Sequence, residues 1–250
     1  MSKSMEQILE IVESGKLMSV AEIAEQAMVS KATVYRTLKR LEGKGLINRV
    51  STGVVLPKEA ETSFSRRLSI NIDKKREIAE KAVSLVEDGD LIFIDASTTC
   101  LAFATELAKS DLTRISVATN STFVVNELGE GAAEFYVVCT GGELQPSLNA
   151  LVGPIACSSI RSMNFHKAFL SGAAFSCDTG LMTTQTSLVE VLKTASSCAS
   201  ETVALIDSTK FHKGAFLNVL DCSKVKTIVS DSGLDCKTRT ALESKGIQVL

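Results

Sequence analysis

From residue 74 to the C-terminus, apolar runs of four or five residues alternate with segments of helical periodicity. No other feature limits the fold of this chain as much. A helical pattern over 74–87 ends in Asp88-Gly89-Asp90 and gives way to LIFID at 91–95. Helical patterns recur at 98–108, 121–127, from Pro154, at 187–197 and from Cys236. Strand-like runs fall at 115–118, 135–139, 167–170, 202–206, 227–229 and 247–250. The stretches TGGELQPSLNALVG, SGAAFSCDTG and DSTKFHKGAF read as loops. Short strands that are apolar throughout, separated by helices, predict a mostly parallel sheet covered on both faces.

Ligands of such sheets bind outside the carboxyl ends of the strands. The polar punctuation of this chain gathers there: Asp95-Ala96-Ser97-Thr98-Thr99, Thr119-Asn120, Thr140-Gly141-Gly142, Ser171-Gly172, and Asp207-Ser208-Thr209-Lys210. Hydroxyls, glycine amides and a helix N-terminus all donate to a phosphate. The FIDASTTCLAFATEL stretch, a strand turning through Ser and Thr into a helix, makes an anion pocket of this kind. Lys210 adds a cation, and Asp95 or Asp207 could accept from sugar hydroxyls. The set describes a crevice for a small, oxygen-rich ligand.

The first 57 residues follow a different pattern. Ile8, Leu9, Ile11 and Val12 have helical spacing, and Gly15 stops that helix. Ser19 and Glu22 form a capping box ahead of an apolar face of Ala21, Ile23, Ala24 and Ala27. After a break at Met28-Val29, Ser30 caps a third helix, KATVYRTLKRLE. Val34, Leu38 and Leu41 form its buried stripe. Ala32, Arg36 and Lys39 lie opposite, flanked by Lys31, Thr33, Tyr35 and Arg40. This is helix-turn-helix logic, with long donors for base edges and small residues for close approach. Two short strands around Ser51-Thr52-Gly53 would form a wing with Arg49 at its base. Residues 58–73 have mixed charge and little periodicity and read as a linker. The division is a winged helix-turn-helix over 1–57, a linker over 58–73 and an α/β body over 74–250.

Charge separates the same two parts. The net charge of -2 conceals nine Lys/Arg against six Asp/Glu in residues 1–58, and eighteen against twenty-three in the rest. A basic first segment on an acidic body points to a polyanionic partner for the first segment alone. The seven cysteines are scattered without a CxxC pair, and there are only two histidines. That pattern gives no zinc-ligand spacing and predicts reduced thiols in a cytoplasmic protein. No apolar run approaches the roughly 18 residues of a membrane span, and no signal-peptide core stands at the start.

The chain resembles the DeoR family of bacterial transcriptional regulators over nearly its whole length. The matching stretches are SVAEIAEQAMVSKATVYRTLKRLEGKGLINRV, EDGDLIFIDASTTC, VATNS, TGGELQPSLNALVGP, KAFLSGAAFSCDTGL and LIDSTKF. The resemblance implies a sensor domain related in fold to sugar-phosphate isomerases. It also implies a phosphorylated sugar or similar metabolite as effector, repression of a double-stranded DNA operator, and a dimer or tetramer. No cofactor, metal or catalytic residue is implied. Carried over by motif, Ser97, Thr98 and Thr99 cradle the phosphate, and Asn120, Gly141, Gly142 and Gly172 line the pocket. Asp207 and Lys210 contact the effector, and Lys75 and Lys81 are further candidates.

Three departures stand out. The recognition helix reads TVYRTL where the family reads TIRRDL, so Tyr35 and Thr37 replace an arginine and an aspartate. The wing carries Ser51-Thr52-Gly53 in place of His-Gly-Gly. His166 stands before the KAF motif where an acidic residue is frequent. The alternative is an enzyme, a sugar-phosphate isomerase drawing on Asp95, Asp207, Glu190 and Lys210. Isomerisation needs a general base and a group that polarises a carbonyl, and nothing in the spacing makes these residues converge.

Overall fold

The computed structural model describes residues 7–9, 11–12, 19–43, 47–50, 53–55, 64–129 and 135–250. The chain divides into two compact units, Met1–Ile70 and Asn71–Leu250.

In the first unit, helical backbone at 7–9 and 11–12 buries Ile8 and Val12 completely. Helix α1 is Val20–Gln26. The Ser19 hydroxyl accepts from the Glu22 amide at 3.3 Å, and the Glu22 carboxylate accepts from the Ser19 amide at 2.7 Å. Two of the orphan donors at the helix start are thereby satisfied. A tight turn follows, with Met28 left-handed at φ 51°. Helix α2, Lys31–Gly43, opens under Ser30, whose hydroxyl accepts from the Thr33 amide at 3.2 Å. Ile8, Val12, Ile23, Ala24, Ala27, Val34, Leu38, Leu41 and Ile47 close one small core. Ala21, expected on the apolar face of α1, is exposed. It lies two residues before Ile23, about 200° around the helix from it, so the face is set by Ile23, Ala24 and Ala27.

Strands β1, Asn48–Val50, and β2, Gly53–Val55, pair antiparallel, with Arg49 opposite Val54. Gly15 and Ser51-Thr52 lie outside the described residues. Helix α3, Phe64–Ser69, forms inside the stretch read as linker, and its Phe64 and Arg66 are buried.

The second unit opens with α4, Ile72–Val83, then β3, Leu91–Ile94, and α5, Thr98–Leu107. Next come β4, Ser116–Thr119, α6, Thr122–Gly129, and β5, Tyr136–Cys139. A hairpin of β6, Glu143–Gln145, and β7, Ala150–Val152, leads into α7, Gly153–Arg161. Strands β8, Phe165–Leu170, β9, Ala174–Ser176, and β10, Gly180–Thr183, precede α8, Thr186–Ser197. The chain ends with β11, Ala199–Leu205, β12, Leu217–Leu220, β13, Thr227–Val229, α9, Cys236–Glu243, and β14, Gln248–Val249.

Seven strands form one sheet in the order β14-β13-β11-β8-β3-β4-β5, and every neighbouring pair is parallel. Side chains alternate between its two faces. Ile92, Ile94, Val117, Phe169, Val203 and Leu205 join a core with α4, α5 and α6. Phe93, Ala118, Ala168, Leu170 and Ala204 join the other core, with α7, α8 and α9. Both faces are apolar, which is why the central strands read as unbroken apolar runs.

Two small antiparallel sheets were not apparent in the sequence. One is the β6-β7 hairpin, and the other is the three-stranded sheet β12-β10-β9. β6, β7 and β9 lie within stretches read as loops, and β10 and β12 begin at or just after the ends of two of them, because strands of three or four residues beside Gly, Asp and Asn carry too little periodicity to stand out. Gly180 shows the closeness of the packing. It has φ 72°, and a Cβ there would lie 2.1 Å from the Leu220 carbonyl oxygen.

The amino ends of β3 and β8 hold the residue that departs from the family pattern. His166 Nδ1 lies 2.8 Å from Asp90 Oδ1, and Lys167 Nζ donates to Asp90 Oδ2 at 2.7 Å. The sequence left His166 either at the ligand or in a structural contact, and here it makes a contact at the edge opposite the strand carboxyl ends. Burial alone pushes the Asp90 carboxyl up. The hydrogen bonds from Lys167, the Glu87 amide and His166, with the Lys167 charge, hold it below the ordinary carboxylate value. A carboxylate depressed in the folded state contributes stability above its unfolded pKa of about 4, and loses that contribution as pH falls through the folded value. Asp90→Asn should therefore destabilise by about 1–3 kcal/mol at pH 7. The gap to the parent protein, read by denaturant melts across pH, should narrow steadily below about pH 4.

Candidate functional site

Helix α5 starts at the carboxyl end of β3, and its N-terminus faces the edge where the sheet's polar residues collect. Ser97 is the N-cap, with extended backbone and a hydroxyl that accepts from the Cys100 amide at 3.1 Å. Its side chain is spent on the helix. Thr98 and Thr99 are buried in the first turn. The Thr99 hydroxyl is fully buried and makes no hydrogen bond. Buried hydroxyls are nearly always satisfied, because desolvating one without a partner costs about 1–3 kcal/mol. A helix N-terminus beside such a hydroxyl is a donor site without its acceptor.

Around this turn stand groups from β8 and from the segment after β11. Asp95, 2% exposed, accepts from the Ser171 amide at 3.3 Å, and the Ser171 hydroxyl donates to the Leu205 carbonyl at 2.7 Å. Asp207, 1% exposed, caps a short 3-10 turn over Ser208–Lys210. Its Oδ1 accepts from the Thr209 amide and hydroxyl and from Asn71 Nδ2. Its Oδ2 lies 3.4 Å from Lys210 Nζ. Burial pushes the Cys100 thiol well up. The Asp95 charge pushes it the same way, and Lys210 opposes that. Asp95 itself stands two residues before Ser97, the N-cap of α5.

The remaining predicted pocket residues lie as follows. Asn120 is fully buried. Its Oδ1 accepts from the Ala96 amide at 3.1 Å and its Nδ2 donates to the Leu151 carbonyl at 3.2 Å, so it pins the β3 end to the β6-β7 hairpin. Gly142 is tight against backbone, with a Cβ there only 2.6 Å from the Val152 carbonyl oxygen. Gly172 is equally tight, at 2.6 Å from the Met182 carbonyl oxygen. Gly141 faces open space. Lys75 is buried on α4, and Lys81 pairs with Glu77 at 3.0 Å and donates to the Ser230 carbonyl at 2.9 Å.

Sequence reasoning missed a neighbouring cluster. Asp231, just past β13, accepts from the Ser208 amide at 2.6 Å, the Ser208 hydroxyl at 2.8 Å and the Gly233 amide at 3.0 Å, and pairs with Lys74 at 2.9 Å. Burial raises its carboxyl, and these donors together hold it below the usual range. The signal available in the sequence is Asp231-Ser232-Gly233 directly after the apolar run of β13.

In the first unit, Lys31, Ala32, Tyr35, Arg36, Lys39 and Arg40 are exposed on α2, on the side away from Val34, Leu38 and Leu41. Thr33 is half-buried, and its hydroxyl lies 2.9 Å from that of Ser30. Arg49 occupies the middle of β1.

Residues 70–232 match the model of the DeoR C terminal sensor domain, a span that includes both Asn71 and Asp231. The chain belongs to the DeoR family of transcriptional regulators. Residues 6–52 of this DeoR-family protein match the MarR family, across the helix-turn-helix and β1. It is 32% identical over 245 residues to the HTH-type transcriptional regulator GlpR of Haloferax volcanii, covering 97% of this chain and 94% of that one. It is 32% identical to the lactose phosphotransferase system repressor of Streptococcus mutans, covering 93% of each. Among solved structures it aligns with ribose 5-phosphate isomerase A of Methanocaldococcus jannaschii at 20% identity and TM-score 0.41, covering 56% of this chain and 55% of that one. The DeoR-family protein is thus a DNA-binding transcriptional regulator. Among the described residues, no three His, Cys, Asp or Glu side chains group to hold a metal, and no helix is long and apolar enough to cross a membrane.

The lone Thr99 hydroxyl separates binding from folding. Thr99→Val keeps the shape and removes a group that the fold does not use, so its Tm should equal or exceed that of the parent protein.

Proposed function

We propose that the protein is a repressor of a sugar or related metabolic operon. Its affinity for a double-stranded DNA operator is set by a phosphorylated sugar, or a similar phosphorylated metabolite, at the carboxyl edge of β3, β8 and β11. One observation carries the reading: the α5 N-terminus presents a buried hydroxyl without a partner, that of Thr99. The phosphate is held by α5 amides with Thr98 and Thr99, and Lys210 adds charge. Asp95 accepts from hydroxyls of the sugar. The sign of regulation follows the streptococcal relative, which is named a repressor. A single winged helix covers few base pairs, so the protein acts as a dimer or tetramer on repeated half-sites. A regulator that works on DNA in this way acts in the cytoplasm.

Sensing rather than turnover is favoured by how the carboxylates are engaged. A general base needs a carboxylate free to take a proton from substrate. Asp207 is committed to Asn71, Thr209 and Lys210.

The test is a titration of sugar phosphates against binding to an operator duplex selected from a random pool, at fixed salt. At least one should change the affinity about five-fold or more. A flat response to all of them would reject the effector. In the same assay Arg36→Ala should lose about 1–3 kcal/mol of base discrimination, whereas Arg49→Ala should weaken all sequences alike and lower the salt slope by about one.

A further inference from the structure

The second unit begins at Asn71, and this residue is used in an unusual way. Asparagine is among the best N-cap residues, and it normally caps from extended backbone, with its own side-chain oxygen accepting from the first turn. Asn71 is the N-cap of α4 but is left-handed, at φ 54° and ψ 39°, and makes no side-chain cap. Its Nδ2 instead donates to Asp207 Oδ1 and Thr209 Oγ1, both at 3.3 Å. One turn later, Lys74 donates to Ser208 Oγ at 2.5 Å and pairs with Asp231 Oδ2 at 2.9 Å. The space is full: a Cβ on Gly233 would lie 2.7–2.9 Å from Asp231 Oδ2, Ser208 Oγ and Lys74 Nζ. The start of α4 is therefore fastened to three consecutive residues, Asp207, Ser208 and Thr209.

The same turn serves the anion site. Asp207 splits its carboxylate, with Oδ1 toward Asn71 and Oδ2 toward Lys210. An arriving phosphate competes for the Lys210 ammonium, because a dianion beside a helix N-terminus is the stronger partner. Any movement of Lys210 then alters the charge balance on the carboxylate that holds Asn71.

We propose that the Asp207–Lys210 turn couples the effector site to the DNA-binding unit, with Asn71 as the left-handed hinge through which a change at Lys210 passes into the chain leading to residue 70. The coupling rests on the phosphate reading above. It takes the form of two hydrogen-bonding states of one turn. In the first, Lys210 lies on Asp207 and Asn71 is held. In the second, Lys210 lies on phosphate and the hold on Asn71 is changed. A ligand shifts such an equilibrium only by binding the two states differently, and the Lys210 contact supplies that difference.

The experiment uses full-length Asn71→Gly. Glycine keeps left-handed backbone at no steric cost and removes only the side-chain tie. Inorganic phosphate and ribose 5-phosphate are the probes, and three quantities are read. These are the Tm rise on adding probe, hydrogen exchange across residues 64–75, and affinity for the selected operator duplex. In the parent protein, a probe should raise Tm, change exchange in 64–75 and change operator affinity about five-fold or more. Asn71→Gly should keep the Tm rise and probe-free operator affinity, and lose most of the probe-induced change in both exchange and DNA affinity. A variant that still transmits the full change overturns the coupling and leaves the effector site standing. A variant that loses the Tm rise makes Asn71 part of the pocket and also overturns it. If neither probe raises the Tm of the parent protein, the phosphate reading itself fails, and the coupling fails with it.

Discussion

In a sheet whose strands are all parallel, every strand delivers its carboxyl end to the same edge. Both faces of this sheet are sealed by apolar side chains under α4–α6 and α7–α9, so the polar chemistry of the domain has only the edges to occupy. One edge received a structural ion cluster, Asp90 with His166 and Lys167. The other received Asp95, Thr99, Ser171, Asp207 and Asp231, all at most 3% exposed. The separation matters physically. A charge at the amino edge tunes stability without touching a ligand at the carboxyl edge, and the site can vary without breaking the β3–β8 contact.

Three buried carboxylates beside the proposed phosphate site look self-defeating, since like charge would repel an incoming phosphate. Each is engaged in the fold, however. Asp95 accepts from the Ser171 amide, Asp207 is shared by Asn71, Thr209 and Lys210, and Asp231 is held by Lys74, Ser208 and Gly233. Of the two lysines in these pairs, Lys210 has the longer contact, 3.4 Å against 2.9 Å for Lys74, and it lies in the turn beside α5. The Asp231–Lys74 pair is short and shares its carboxylate with Ser208 and Gly233, and the Asp207–Lys210 pair is the longer of the two.

How much of this was legible follows from residue pattern. The central strands, buried on both faces, and the helices with clean apolar stripes stood out, because unbroken apolar runs and 3.6-residue spacing are strong signals. The Ser19–Glu22 capping box and the Ser97–Thr99 turn were readable for the same reason: local chemistry fixes local geometry. The short antiparallel strands were not, since three residues beside a glycine carry no period. Ala21 was misplaced because an alanine fits either side of a helix, and only its angular position decides. Asn120, Gly142 and Gly172 were flagged as pocket residues from their place at strand ends. What they touch, the Leu151 carbonyl, the Val152 carbonyl and Leu181 with Met182, depends on chain segments far away in sequence. Asn71 and Asp231 escaped for a related reason: they are 160 residues apart, and only the closed fold brings both to the Ser208 turn.

The left-handed backbone of Asn71 ties these threads together. A non-glycine residue in this region carries a cost of about 1 kcal/mol, least for asparagine. An ordinary helix start would avoid that cost and gain a cap as well. Here the chain forgoes the cap and spends the amide on Asp207, the residue that also holds Lys210. Helix α4 would form without this arrangement, since Ile78, Ala79 and Ala82 already bury its apolar face against α5 and the sheet. What the arrangement adds is dependence. The first residue of the sensor is tied to the same carboxylate that pairs with Lys210.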